Sequence, residues 1–292
     1  KVTGKARYAE DFRLDGMVFC KMLSSPYPHA RVVDIDASEA LSMPGVLGMI
    51  TADDVPAQNG AHEQILSNEP LHVGAPILAI AAETEEQAAD AVDKLNISYE
   101  QLPFQLDPLE ALRPGSAPAR SDGNATLLEY RQPAAASYHY WSEEDFNAVS
   151  EGELPQGASM KDWAVGDIET GFAESDYIMD ESFVVAANSH HSMEPRSTLA
   201  TWEAGKCHVY GSTQSQAWVN AGLAQYLGIE QQDLVYIAPF CGGGFGSKGS
   251  AYPSMAIPAY LSKKINRPVM HRFTRTEEYY LGRARSSFQA RA

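Results

Sequence analysis

Residues 238–250 read APFCGGGFGSKGS, with five glycines inside residues 242–249, Phe245 within the run and Lys248 near its end. A flexible linker can be glycine-rich. This run instead follows DLVYI (233–237), a strand-like segment, and precedes SMAIPAYLSKKIN (254–266), which reads as a helix with Pro258 as a kink or an early-turn residue. Glycines between a strand and a helix admit positive φ and let the backbone approach a ligand closely. Successive free N–H groups there can form an anion-binding concavity. Two familiar phosphate loops fail the test. A Walker loop ends in Gly-Lys-Ser/Thr, whereas Ser247–Lys248 reverses that order. A dinucleotide fingerprint needs a third glycine where Ser247 stands, and an acid where Asn266 and Arg267 stand. Taken alone, GGG would be a glycine-rich turn with no ligand, so its neighbours decide.

Residues 166–292 form a candidate α/β unit around this loop. YIMDESFVVAA (177–187) is strand-like, and LATWEAGKCHVYGST (199–213) reads as a hairpin turning at Ala204–Gly205. SQAWVNAGLAQYLG (215–228) reads as a helix with Val219, Leu223 and Leu227 on one face and Gly228 as its terminating glycine. RPVMHRFTR (267–275) closes the unit as a strand. TRTEEYYLGRAR, which carries Glu277 and Glu278, reads as a polar turn.

Residues 1–113 read as a second mixed α/β unit. MVFCKMLSS (17–25), ARVVDID (30–36), VLGMIT (46–51) and Ile77–Ala81 are strand candidates, and ASEALSMPG (37–45) is a short helix stopped by Pro44–Gly45. Thr84 and Gln87 fit a capping box, after which Ala88, Val92 and Leu95 share a helical face. LNISY (95–99) returns as a strand, which predicts a right-handed βαβ crossover. Residues 114–165, rich in Pro, Gly, Ser and acid, read as a long loop or linker.

The 292 residues carry a formal net charge of −16. Such a surface repels nucleic acid, which requires clustered Lys and Arg, and no apolar run reaches membrane-spanning length. Three cysteines, Cys20, Cys207 and Cys241, are too few for a disulfide framework or a four-cysteine iron–sulfur site. Cys207 and His208 read as structural, and Cys241 as a small residue packing a strand end. No leader is evident, which points to the cytoplasm, with the periplasm left open if an export signal precedes residue 1.

In order along the chain come VTGKARYAEDF (2–12), SPYPHARVVDIDASEALSMPGVLGMITADDVP (25–56), EPLHVGAPILAIAAETEEQAADAVDKLNISYEQLP (69–103), HHSMEPRSTLATW (190–202), GSTQSQ (211–216) and GGGFGSK (242–248). This series resembles the molybdopterin-binding subunit of the xanthine dehydrogenase / aldehyde oxidase family, the molybdenum hydroxylases, with isoquinoline-oxidoreductase-like and aldehyde-oxidase-like members nearest in flavour. The resemblance implies a mixed α/β fold, an α/β hammerhead domain followed by the first part of a molybdopterin-binding domain. It implies oxidative hydroxylation of a small molecule with water as the oxygen source. The cofactor would be molybdopterin with molybdenum, the cytosine dinucleotide being one form it admits. Electrons would pass to 2Fe–2S clusters on a partner, an iron–sulfur subunit, with an FAD subunit or a cytochrome further on.

By the same resemblance, the backbone at Gly243, Gly244, Phe245 and Gly246 lines the cofactor, and Gln214 brings a neutral amide to an oxygen on the metal. His190 (or His191) with Glu194 forms a further cluster. Spaced four apart, His190 and Glu194 could face each other on a helical turn. They could bind a cation, but a His–Glu hydrogen bond bracing the pocket is preferred, because groups that line a site need such support. The family holds molybdenum through the pterin, so side chains here would not ligate it. Gly249 stands where purine-oxidising relatives carry a glutamate, which favours an aldehyde or an aromatic N-heterocycle over xanthine. The family's catalytic glutamate is expected outside this chain, together with a complementary segment of the cofactor domain. The competing reading is a non-catalytic module that serves only binding or assembly.

Overall fold

The computed structural model describes residues 1–291 except 59–62, 108–109, 119–124, 130–131, 140, 151–152, 154 and 156–163. The first hundred residues give β1 (Val18–Ser24), β2 (Ala30–Asp36), α1 (Ser38–Ser42), β3 (Val46–Ile50), β4 (Pro76–Ala82), α2 (Glu85–Asp93) and β5 (Asn96–Gln101). Next come β6 (Ala125–Glu129), β7 (Gln132–His139), α3 (Glu143–Asn147) and α4 (Ile168–Glu174). The remainder is β8 (Ser182–Val185), β9 (Ser197–Glu203), β10 (Lys206–Tyr210), α5 (Gln216–Leu227), β11 (Leu234–Ile237), α6 (Ile257–Ile265), β12 (Val269–Arg272), α7 (Arg275–Tyr280) and β13 (Phe288–Arg291).

Local chemistry explains the elements that the sequence announces. Thr84 Oγ1 accepts from the Gln87 amide at 3.2 Å while Gln87 Oε1 accepts from the Thr84 amide at 3.1 Å, so the capping box starts α2. Ala204 (φ 49°) and Gly205 (φ 82°) both adopt the left-handed conformation, the requirement of a two-residue type I′ turn joining β9 to β10. Gly228 (φ 63°) ends α5 in the left-handed region, and Val219, Leu223 and Leu227 form its buried face. Pro258 falls in the first turn of α6, where its missing N–H has no partner to lose.

One seven-stranded mixed sheet, ordered β11-β10-β9-β12-β1-β4-β3, takes strands from both sides of the expected linker. β1 joins the two sets: it runs parallel to β12, with Val18 opposite Val269, and antiparallel to β4. Every residue of β4 is buried. Alternation along the strand sends Ala79 and Ala81 into the core that contains Leu261 of α6 and Leu223 of α5. Leu78 and Ile80 enter the opposite core with Ala40 of α1 and Ala91 of α2.

Three expectations are corrected. β4-α2-β5 is not a βαβ crossover: β5 leaves the large sheet and pairs antiparallel with β2 in a separate two-stranded sheet. Tyr99 and Ile97 of β5 are then available to pack on the second core beside Val32 and Ile35 of β2. The 114–165 stretch is not all loop, since β6 and β7 form an antiparallel pair and α3 follows; parts of this stretch lie outside the described residues. TRTEEYYLGRAR contains α7, whose Glu278 is buried. No described helix is long and apolar enough to cross a membrane.

Candidate functional site

β11 delivers the chain into the glycine loop, and the backbone turns sharply there: Gly243 (φ 102°), Phe245 (φ 53°) and Gly246 (φ 95°) all have positive φ. A phenylalanine in this region is strained, and its ring is 71% exposed. Among the described residues, the amides of Gly243, Gly244 and Phe245 have no hydrogen-bond acceptor, whereas those of Gly242, Gly246, Ser247 and Lys248 are used. Successive N–H groups without a partner, between positive-φ residues, are the donors from which an anion-binding nest can be built.

Gln214, in the segment between β10 and α5, holds the loop's shape. Its Oε1 accepts from the amides of Gly246 (2.9 Å) and Lys248 (3.2 Å), and its backbone N–H donates to the Lys248 carbonyl at 2.9 Å. Two donors on Oε1 fix the orientation of the side-chain amide. Its Nε2 is left without a protein partner among the described residues, a neutral donor on an exposed side chain. A Cβ on Gly244 would fall 2.5 Å from Gln214 Cδ and 2.6 Å from Cγ, so only glycine leaves Gln214 in place.

Glu194 anchors the other end of the loop. Its carboxylate accepts from the amide of Gly242 (2.5 Å), the hydroxyl of Ser212 (2.6 Å), the Lys248 ammonium (3.1 Å) and the amide of Ala9 (3.2 Å). Lys248, only 2% exposed, also donates to the Glu194 carbonyl (2.6 Å) and to Ser212 Oγ (3.0 Å), which uses all three of its protons. Burial opposes ionisation of Glu194, yet the Ser212 hydroxyl, the Gly242 amide, Lys248 and the Ala9 amide hold its carboxyl below the ordinary value. A second buried pair supports the loop from below. Arg196 binds Glu278 of α7 at 2.6 Å and donates to the carbonyl and hydroxyl of Ser247, while its guanidinium lies 4.6 Å from the Tyr252 ring centroid.

The structure therefore brings Gln214, Glu194 and the glycines together, but it does not join His190 to Glu194. Residues 188–196 are not helical, and the Glu194 carboxylate draws its donors from Gly242, Ser212, Lys248 and Ala9 instead. His190 lies instead along the loop, its Nε2 3.8 Å from where a Gly246 Cβ would stand. Among the described residues no group of three His, Cys, Asp or Glu could hold a metal ion. Cys241 is half-buried and directs its Sγ to the Gly243 carbonyl at 3.4 Å, and Cys207 is buried in β10. Sequence reasoning missed the roles of Lys248, Ser212, Arg196 and Glu278. The available signal was Thr274-Arg-Thr-Glu277, a capping-box pattern that starts α7 and so turns Glu278 inward.

The family model described as molybdopterin cofactor-binding domain matches residues 150–292. The model described as aldehyde oxidase and xanthine dehydrogenase, a/b hammerhead domain, matches residues 3–103. The chain is 29% identical over 290 residues to a probable xanthine dehydrogenase subunit of Bacillus subtilis (strain 168), covering 97% of this chain and 34% of that protein. It is 26% identical to the nicotine 6-hydroxylase large subunit of Paenarthrobacter nicotinovorans, covering 92% of this chain and 31% of that one. Quinoline 2-oxidoreductase from Pseudomonas putida 86 superposes with a TM-score of 0.73 at 25% identity, covering 95% of this chain and 33% of that chain. The chain thus spans about a third of the length of these relatives. With both domain types matched along its length, the chain belongs to the xanthine dehydrogenase / aldehyde oxidase family of molybdopterin-dependent oxidoreductases.

Proposed function

We propose that this chain forms the cofactor-holding wall of a molybdenum hydroxylase that oxidises an aldehyde or an aromatic N-heterocycle. The observation that carries the reading is the nest itself: the unpaired amides of Gly243, Gly244 and Phe245 beside an amide nitrogen of Gln214 that is turned outward. These residues fit an oxygen-rich anionic group, and a Cβ at Gly244 would displace the Gln214 side chain that lies against it. When bound, the molybdenum–pterin group would supply the two-electron redox chemistry that transfers a water-derived oxygen to carbon.

The protein's share is positioning. Gly243–Phe245 donate to oxygens that approach the bare backbone, and preorganised donors of this kind favour charge that develops beside them. Gln214 adds a donor that stays neutral, so it orients an oxygen without protonating it. Phe245, held outward by its left-handed backbone, walls the site with an apolar face for a planar or small organic substrate. Gly249 leaves room beside the loop, its nearest neighbour to a Cβ being the Gly246 carbonyl oxygen at 3.5 Å. The absence of a carboxylate there removes an anchor suited to a purine, which supports the choice of aldehyde or N-heterocycle.

These residues hold three cysteines, Cys20, Cys207 and Cys241, so iron–sulfur clusters would reside outside them, on a partner iron–sulfur subunit or a further segment, with an FAD subunit or cytochrome beyond. The catalytic glutamate and the complementary part of the cofactor domain, in the cytosine dinucleotide form or another, would come from outside these residues. The test is elemental analysis of molybdenum per polypeptide in native material from cells that make the cofactor. Near-stoichiometric molybdenum is expected, with loss in Gly244→Val. Absence of the metal from the wild type would refute the reading.

A further inference from the structure

The segment His190–Glu194 runs alongside the glycine loop as a rigid strap. Glu194 donates its amide to the Gly242 carbonyl at 3.3 Å and accepts the Gly242 amide on its carboxylate. Ser192 Cβ lies 3.6 Å from where a Gly243 Cβ would project. Arg275 of α7 donates to the carbonyls of Ser192 (2.8 Å) and Met193 (3.0 Å). His191, in the left-handed conformation (φ 46°), rests its ring against Tyr279 at a centroid distance of 5.0 Å. The fixed backbone turns His190 onto Gly246.

The two ring nitrogens of His190 meet different surroundings. Nδ1 is buried and has no hydrogen-bond partner. Nε2 has no protein partner among the described residues either, but it is open on the loop side, above Gly246. A neutral imidazole carries one proton. On Nδ1 that proton would be a buried donor without an acceptor, the rarer and costlier kind of orphan. With Nδ1 enclosed and Nε2 open on the loop side, the Nε2–H tautomer is the one that presents the ring's donor to a ligand. Glu194 does not take that proton: its carboxylate is bound by Gly242, Ser212, Lys248 and Ala9, and no hydrogen bond joins it to His190.

We infer that His190 contacts the ligand directly: its Nε2–H donates to an oxygen of the anionic group seated on the Gly243–Phe245 amides. This inference rests on the cofactor reading above, and it replaces the bracing role that the sequence suggested for His190. The strap becomes a second wall of the cradle, facing the one formed by Gln214.

The test uses two substitutions in the natively purified, full-length protein. His190→Gln keeps an N–H donor at the reach of Nε2, and His190→Phe keeps a ring and removes the donor. Molybdenum per polypeptide is followed through prolonged dialysis, and the melting temperature is taken on cofactor-free protein from a host unable to make the cofactor. His190→Gln should hold molybdenum as the wild type does. His190→Phe should lose it about tenfold faster, the effect of one charge-assisted hydrogen bond. The cofactor-free melting temperatures should coincide, since neither nitrogen has a protein partner to lose. Wild-type retention by His190→Phe would overturn the inference. So would equal losses in both variants accompanied by a lowered melting temperature, which would mark a packing role. Gly244→Val separates the two levels. If it is empty while His190→Phe is full, only the His190 assignment falls. If it is full, or if the wild type is empty, the cofactor reading falls and this inference with it.

Discussion

Replacing Glu194 with glutamine tests how the cradle is held. The side chain keeps its shape, but the charge goes, and Lys248 is left 2% exposed with no counter-ion. One carboxylate oxygen also becomes an NH2 group facing donors from Gly242, Ser212, Lys248 or Ala9. Breaking a buried ion pair from one side costs about 3–5 kcal/mol, because the surviving charge stays desolvated. Lys248→Met in the same molecule removes that stranded charge, and the pair of changes should cost about 2 kcal/mol less than the sum of the singles. Urea unfolding at neutral pH measures all three, with unchanged slopes required for a two-state comparison. A loss below about 1 kcal/mol for Glu194→Gln, or strict additivity in the double variant, would refute the view that the loop hangs on this pair. Acid titration adds a check of sign. Burial works against the carboxylate, but its hydrogen bonds and Lys248 win, so its folded pKa lies below the unfolded one. Its contribution is then complete above the unfolded carboxylate pKa and disappears as pH falls through the folded value. Glu194→Gln should remove that part of the acid-side slope.

Glu278→Gln should cost about 3 kcal/mol in the same unfolding assay, since it strands buried Arg196 and loosens the contact with Ser247. Gly249→Glu should change stability by no more than about 0.5 kcal/mol, because a Cβ there meets only ordinary contact distances. It should leave molybdenum content unaltered and raise the activity on purines relative to aldehydes, measured across a substrate panel. Burial pushes the Cys207 thiol up to about 12 and raises Cys20 as well, whereas Cys241 is half-buried beside the loop. A thiol reagent added to native protein should therefore label Cys241 first and reach the other two only on unfolding.

The sequence shows clearly what short-range chemistry decides. The capping box at Thr84, the turn at Ala204–Gly205, the terminating Gly228 and the glycine loop each occupy a few consecutive residues, and each appears where it was expected. Strand pairing is less visible, because β4 and β5 look alike on either side of a helix whether they return to one sheet or to two. Nothing local says that β5 seeks β2 or that β1 will lie beside β12 near the other end of the chain. The spacing of His190 and Glu194 misleads for a related reason. An i, i+4 pair meets only on a helix, and here His191 adopts positive φ and Pro195 follows Glu194, so the strap cannot wind.

The supports of the site show the same limit in energetic terms. The loop gains nothing by itself, since its unpaired amides and the left-handed φ of Phe245 both cost stability. Its shape is held by partners drawn from across the fold: the Ala9 amide reaches Glu194 from 185 positions away, and Arg196 reaches Ser247 and Glu278 across 51 and 82. Glu10 extends this frame by accepting from Ser197 Oγ at 2.8 Å and from Arg272 at 2.8 Å, where β9 begins beside the end of β12. A site that is costly locally can persist only where such distant groups over-determine it. For that reason the loop's motif could be read from seven letters, while the ion pairs that keep it open needed the fold to be seen.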